Sequence, residues 1–187
     1  MPNLSQYLSD FSSLHTAVSK GKPAPHKALL LLAVLDMVED GSLPFNRIVL
    51  TDALVRRFDV MVKRYLGNST IFRPNIGMPY FHMQHEPFWE LVPAQDALGM
   101  VAEDVAGNKR IFRTPSTNYS QKSLRENFAY ARLDADLFQL MQNPDAAAKL
   151  RVTLISKYLV NQPTTQLPLP SVSLAMLLGT ELMTMLG

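Results

Sequence analysis

Two short runs carry residue types that can do chemistry: His26-Lys27, and His82-Met-Gln-His85-Glu86. The first run follows Pro23-Ala-Pro25 and opens the apolar stretch Ala28 to Leu35. Proline suits a first helical turn, because its missing N–H costs nothing there and its φ is already helical. A basic pair in that turn lies among N–H groups without intrahelical partners, at the positive end of the helix dipole. The arrangement is unfavourable unless it meets an anion, and a phosphate group is the natural one. A solvent-exposed turn with a satisfied histidine is the alternative reading. The second run has the look of a metal site. On a strand, however, His82 and His85 would point to opposite faces, which argues against shared coordination unless a turn intervenes. We therefore expect wing histidines and no metal. No glycine-rich phosphate cradle or nucleophile elbow is present, so neither a cofactor nor catalysis within this chain is expected.

The formal charge of +2 is too small to indicate a polyanionic partner, but its distribution does. Residues 105–125 contain Lys109, Arg110, Arg113, Lys122 and Arg125 with no acid, and residues 60–85 hold Lys63, Arg64 and Arg73 with none. Local basic fields of this kind concentrate nucleic acid. Lys22, Arg73, Lys109, Arg110 and Arg113 are candidates for phosphate contacts. The polar loop around Asn118, Tyr119, Gln121 and Lys122 carries side chains able to hydrogen-bond base edges.

The elements that must position these groups are mostly helical. Leu4 to Ser19 shows a helical apolar stripe, and Lys20 to Pro25 is a basic turn. From His26 to Asp40 runs a helix apolar on all sides, hence buried, with Gly41 as its left-handed stop. Phe45 to Leu50 is a strand candidate. Thr51 caps a second helix with Leu54, Phe58, Met61, Val62 and Tyr65 on one face. Tyr80 to Met83 and Phe88 to Val92 read as a two-stranded wing, and Trp89 belongs in the core. Lys109 to Arg113 is a short strand candidate. Ser123 to Ala131, Asp134 to Gln142 and Asp145 to Val160 read as helices. The expectation is an α+β, predominantly helical fold, with a winged-helix-like core and a small β wing.

At 187 residues the chain can bury one good core. The reading places a domain at 1–160, a proline- and threonine-rich linker at 161–170, and a short apolar tail at 171–187. Cysteine is absent, and no signal peptide or membrane-length apolar run is seen. A soluble cytoplasmic protein is expected.

Taken in order, Pro25-His26-Lys27 before the leucine run, Pro79-Tyr-Phe-His82 followed by Phe88-Trp-Glu-Leu91, and Leu133-Asp-Ala-Asp-Leu-Phe138 leading to Leu150 through Tyr158 resemble one family. It is the sulfur-binding domain of phosphorothioate-dependent restriction endonucleases of the McrA type. The resemblance spans roughly Leu4 to Tyr158. It implies a module that binds double-stranded DNA whose backbone carries sulfur, in the Rp configuration, in place of one non-bridging oxygen. Cutting would belong to a separate HNH nuclease domain. By the same resemblance His26, Lys27, Met78, Pro79 and His82 share one surface, with an apolar cup for the weakly hydrated sulfur beside cationic donors for the oxygens. The sequence departs from the family where Lys27 stands for a frequent arginine, Met78 for a frequent aromatic, and His82 for a smaller residue. A winged-helix regulator indifferent to sulfur, reading bases with Arg56, Arg57 or Asn68, is the rival.

The linker reading has a direct test. Limited proteolysis is expected to cut first between Gln162 and Ser171, and early cleavage inside Leu29 to Leu35 would contradict the boundary.

Overall fold

The fold follows from one helix that has no solvent face. In the computed structural model, residues 2–19, 21–67, 74–94, 111–113 and 119–160 are described. Helix α2 (His26–Glu39) is enclosed along its length, and every residue from Ala28 to Leu35 is fully buried. Burying each leucine stabilises by about 1.5–3 kcal/mol, so this helix is the centre of the core. It starts after Pro25 and ends at Asp40, where Gly41 takes φ +79°, as expected.

Three other helices surround it. Helix α1 (Leu4–Ser12) is capped by the Asn3 side chain and buries Tyr7 and Phe11. Helix α3 (Asp52–Leu66) is capped by Thr51 and buries Leu54, Phe58, Met61 and Leu66. Helix α7 (Pro144–Tyr158) starts from an Asn143 cap and turns Leu150, Leu154 and Tyr158 inward. α3 and α7 pack directly on α2, while α1 packs on α7. The acidic end of α2 is tied to both neighbours. Arg151 donates to Asp36 at 2.8 Å and to Glu39 at 2.7 Å, and Arg57 donates to Asp40 at 2.5 Å. These pairs are partly solvated and contribute little individually. They orient two helices about the third.

The remaining elements are small: strands β1 (Val18–Ser19) and β2 (Lys22–Pro23), helix α4 (Gly77–His82) with a 3-10 turn (Met83–His85), strand β3 (Trp89–Pro93), helix α5 (Gln121–Asn127), strand β4 (Phe128–Leu133) and helix α6 (Ala135–Met141). β1 and β2 form a two-rung hairpin, and β3 pairs antiparallel with β4. Trp89 is fully buried on that sheet, edge to face on Tyr80 at 5.8 Å. The class is α+β and predominantly helical, as the sequence led us to expect.

Four expectations are corrected. The wing does not form: Tyr80 to His82 is helical, started by Asn75, whose side chain accepts from Gly77 N–H at 2.9 Å. Tyr80 and Phe81 are both buried, one towards Trp89 and the other towards Phe128, which rules out the alternation of a strand. The partner of β3 is residues 128–133, of which Phe128 to Ala131 was expected as helix; there Phe128, Ala131 and Leu133 turn inward across a register shift at Val92 and Pro93. Phe45 to Leu50 is not a strand but touches β4 through the single bridge Ile48–Ala131. Asn46 extends that contact, its side-chain amide exchanging two hydrogen bonds with the Leu133 backbone. Finally, the first helix stops at Ser12, well short of Ser19. The expected linker and tail, 161–187, lie outside the described residues, as do Lys109 and Arg110 of the Lys109 to Arg113 strand candidate.

Truncating Leu31 to alanine should cost about 2–5 kcal/mol, because the enclosed helix cannot collapse onto the cavity. Val152→Ala, on the exposed face of α7, should stay within about 0.5 kcal/mol of wild type. Denaturant midpoints at unchanged slope would check both.

Candidate anion-binding cleft

The head of α2 opens into a cleft of about 550 Å³. Its walls come from the loop after α1, Ala17 and Ala24 at the base of the β1–β2 hairpin, the first turn of α2, and α4 with the 3-10 turn. Ala17, Ala24, Met78 and Pro79 make the apolar side. His15, His26, Lys27, His82 and His85 make the polar side, so all four histidines of the chain line one cleft. No carboxylate is among the lining residues.

The folding of each wall has a local cause. Tyr158 on α7 donates its hydroxyl proton to Phe11 O at 2.8 Å and accepts from Leu14 N–H at 2.9 Å, which fixes where the chain leaves α1. The hairpin turns at Gly21, whose φ of +75° favours glycine. Ala24 N–H closes its base on Ala17 O at 2.8 Å. The short α4 carries Met78 at the rim, 42% exposed, and Pro79 buried beneath it.

Beneath the cleft lies a buried ion pair. Lys27 Nζ donates to Glu86 Oε1 at 2.5 Å, with side chains 8% and 1% exposed. The same carboxylate accepts the His15 backbone N–H at 2.8 Å and pairs with His15 Nδ1 at 3.2 Å. An ionised carboxylate only accepts, so His15 Nδ1 carries a proton. Glu86 thus joins the loop after α1, the head of α2 and the 3-10 turn. Burial holds His26 below the ordinary histidine range. His82 is also lowered, first by burial and then by the charges of His85 and Lys27.

The five residues that the family resemblance grouped, His26, Lys27, Met78, Pro79 and His82, are brought together in this cleft. Lys27 differs from the expectation of a cation directed only at a ligand, because its ammonium is engaged by Glu86. The exposed-turn alternative for the basic pair is ruled out by the same burial. Lys22 is exposed on β2 of the hairpin and is not among the residues lining the cleft. Tyr119 packs on His82 at 4.9 Å and on Phe81 at 5.3 Å. Its carbonyl oxygen lies against Gly77 so closely that a Cβ there would stand 1.9 Å away.

Gln121 and Lys122 begin α5, apart from the cleft lining; Gln121 lines a second hollow with Asp59 and Pro74, and Lys122 pairs loosely with Glu126. Arg113 is exposed beside Phe112, whose backbone is clasped by the buried Gln84 amide. Arg73, Lys109, Arg110 and Asn118 lie outside the described residues, as does Asn68. Of the rival's base readers, Arg57 is turned onto Asp40, and Arg56 is exposed.

His82 and His85 do not diverge as they would on a strand. The helix and its 3-10 extension stack their rings 6.0 Å apart on one side. Even so, no group of three or more metal-ligating side chains forms among the described residues. His15 escaped sequence reasoning as a cleft residue, and Glu86, singled out there only as part of a metal-like run, is the buried partner of Lys27. Glu86 is the acid that closes an otherwise acid-free stretch, which hints at a special place without naming its partner.

The chain matches no family model and no curated protein.

The lowered histidines make stability depend on pH. Their unfolded value is near 6.5 and their folded values lie below it. In that interval the unfolded chain binds more protons, so stability is full above the unfolded value and is lost as pH falls towards the folded one. Melting temperature should therefore fall on acidification below about pH 6.5, and His82→Gln should lessen the fall. An unchanged slope in that variant would remove His82 as a cause.

Proposed function

We propose that this cleft binds the backbone of double-stranded DNA at a phosphorothioate linkage in the Rp configuration, as the targeting module of a restriction endonuclease. The observation that carries the reading is the joining of His26-Lys27 with Met78-Pro79 and His82 in one cleft that is apolar on one side and, on the other, lined by histidines and a lysine with no carboxylate. A phosphorothioate keeps the negative charge of phosphate, but its sulfur is larger, softer and less strongly hydrated than oxygen. The Pro79 ring and the polarisable Met78 thioether suit the sulfur. The head of α2 and the histidine side suit the oxygens. Lys22 on the hairpin, with Arg73, Lys109, Arg110 and Arg113 elsewhere in the chain, would neutralise neighbouring phosphates. Tyr119, packed on His82, links the cleft to the segment of Asn118, Gln121 and Lys122, the proposed readers of flanking bases.

In this reading the chain binds and does not cut; the nuclease is a separate HNH domain, and the place of action is the cytoplasm. No metal or cofactor takes part in recognition.

The test compares one short duplex in three forms: unmodified, and with each phosphorothioate stereoisomer at a single linkage. A chiral cleft contacts one non-bridging position, so the Rp form should bind best. One apolar contact is worth about 1–3 kcal/mol, or roughly 10–200-fold. Most of the affinity should fall with salt, as phosphate contacts do. Pro79→Ala should lose sulfur preference more than DNA affinity, and Lys27→Ala, which leaves Glu86 uncompensated, should reduce both. Equal affinity for all three duplexes would overturn the sulfur reading and leave a sulfur-indifferent DNA binder.

A further inference from the structure

Lys27 is the obvious cation for an anion entering the cleft, yet its charge is already balanced. The ammonium lies 2.5 Å from Glu86 Oε1, and both side chains are almost wholly buried. Glu86 in turn receives the His15 backbone N–H and faces His15 Nδ1. The pair sums to zero charge and ties together three segments that build the cleft walls. An ammonium held this way is a poor reserve of charge for a ligand, since any donor turned towards an anion leaves a buried carboxylate less well paired.

The other groups around the cleft are titratable. His26, on α2, and His82, on α4, are half-buried. His82 faces the His85 ring at 6.0 Å and the Tyr119 ring at 4.9 Å, with Lys27 within its field. Along the same lining His26 is accompanied by Lys27, His15, His82 and His85. Tyr158 lies in the field of Glu86 from α7. No carboxylate lines the space itself.

Resting on the reading of the cleft as a site for a phosphate-type anion, we propose that Lys27 and Glu86 are a self-neutralised positioning pair, and that the positive charge offered to the anion is carried by His26 and His82 in protonated form. In the empty cleft burial keeps both rings neutral at neutral pH. An entering anion favours the imidazolium, so binding takes up protons from solution. Affinity then rises as pH falls, by about tenfold per pH unit for each proton taken up, until the pH passes below the free-state values.

The experiment uses the full chain, with the Rp phosphorothioate duplex and inorganic phosphate as probes, between about pH 6 and 8. Wild type should bind more tightly towards the acid end, and His26→Asn and His82→Gln should each flatten the dependence. The double variant Lys27→Met with Glu86→Gln should keep the pH slope of the wild type, because it removes a pair of zero net charge and leaves both histidines in place. A flat pH profile in wild type, or a double variant that loses binding as completely as Lys27→Met alone, would overturn the proposal and make Lys27 the direct donor. A second measurement needs no ligand. Each single variant leaves one buried charge uncompensated, so the double variant should melt closer to wild type than either; additive losses would overturn the positioning pair. Should neither probe bind at any pH, the DNA reading fails together with the histidine half of the proposal. The pair would then stand or fall on the melting cycle alone.

Discussion

A helix buried on every side has only its two ends with which to be polar, and this constraint organises the molecule. The eight residues Ala28 to Leu35 give α2 no face to offer water. All its charged chemistry is therefore pushed to its termini. At the tail Asp36, Glu39 and Asp40 gather Arg57 and Arg151, and so set the directions of α3 and α7. At the head His26 and Lys27 meet the loop after α1 and the 3-10 turn. One end of the helix serves assembly of the bundle, and the other end is left to form a cleft.

That division also explains what was legible in the sequence. The leucine run, its proline start and glycine stop, the Thr51 cap and the Asn143-Pro144 entry are local signals, and each element they announce is present. Of the sheet, the strand expected over Phe88 to Val92 is present as β3, but its pairing was not legible, because the partner is set by tertiary contact. Trp89–Pro93 finds its partner far along the chain, and Phe128–Leu133 has alanines that read as helix until they are placed across from β3. Tyr80 and Phe81 misled in the opposite sense, as aromatic neighbours that favour strand until Asn75 starts a helical turn before them.

The cleft was half legible. Family resemblance grouped residues near 26 with residues near 80, and the fold brings the two stretches into contact. What could not be read was the carboxylate beneath them. Glu86 acts through burial and through donors from two distant segments, and neither shows in its neighbours along the chain. A buried ion pair of this kind contributes less to stability than its Coulomb attraction implies, since both charges have left water. Its worth here is geometric.

The hydroxyl of Tyr158 has a consequence for the order in which the molecule becomes competent. Every residue lining the cleft belongs to the first half of the chain, yet the backbone at Leu14 and Phe11 that sets its edge is held from the last described helix. Synthesis runs from the N-terminus, and contacts between distant segments form late. A nascent chain would thus display all the chemistry of the cleft while still lacking its shape. The cleft edge is fixed only once α7 has docked, so a cleft written near the start of the chain is completed by the last described helix.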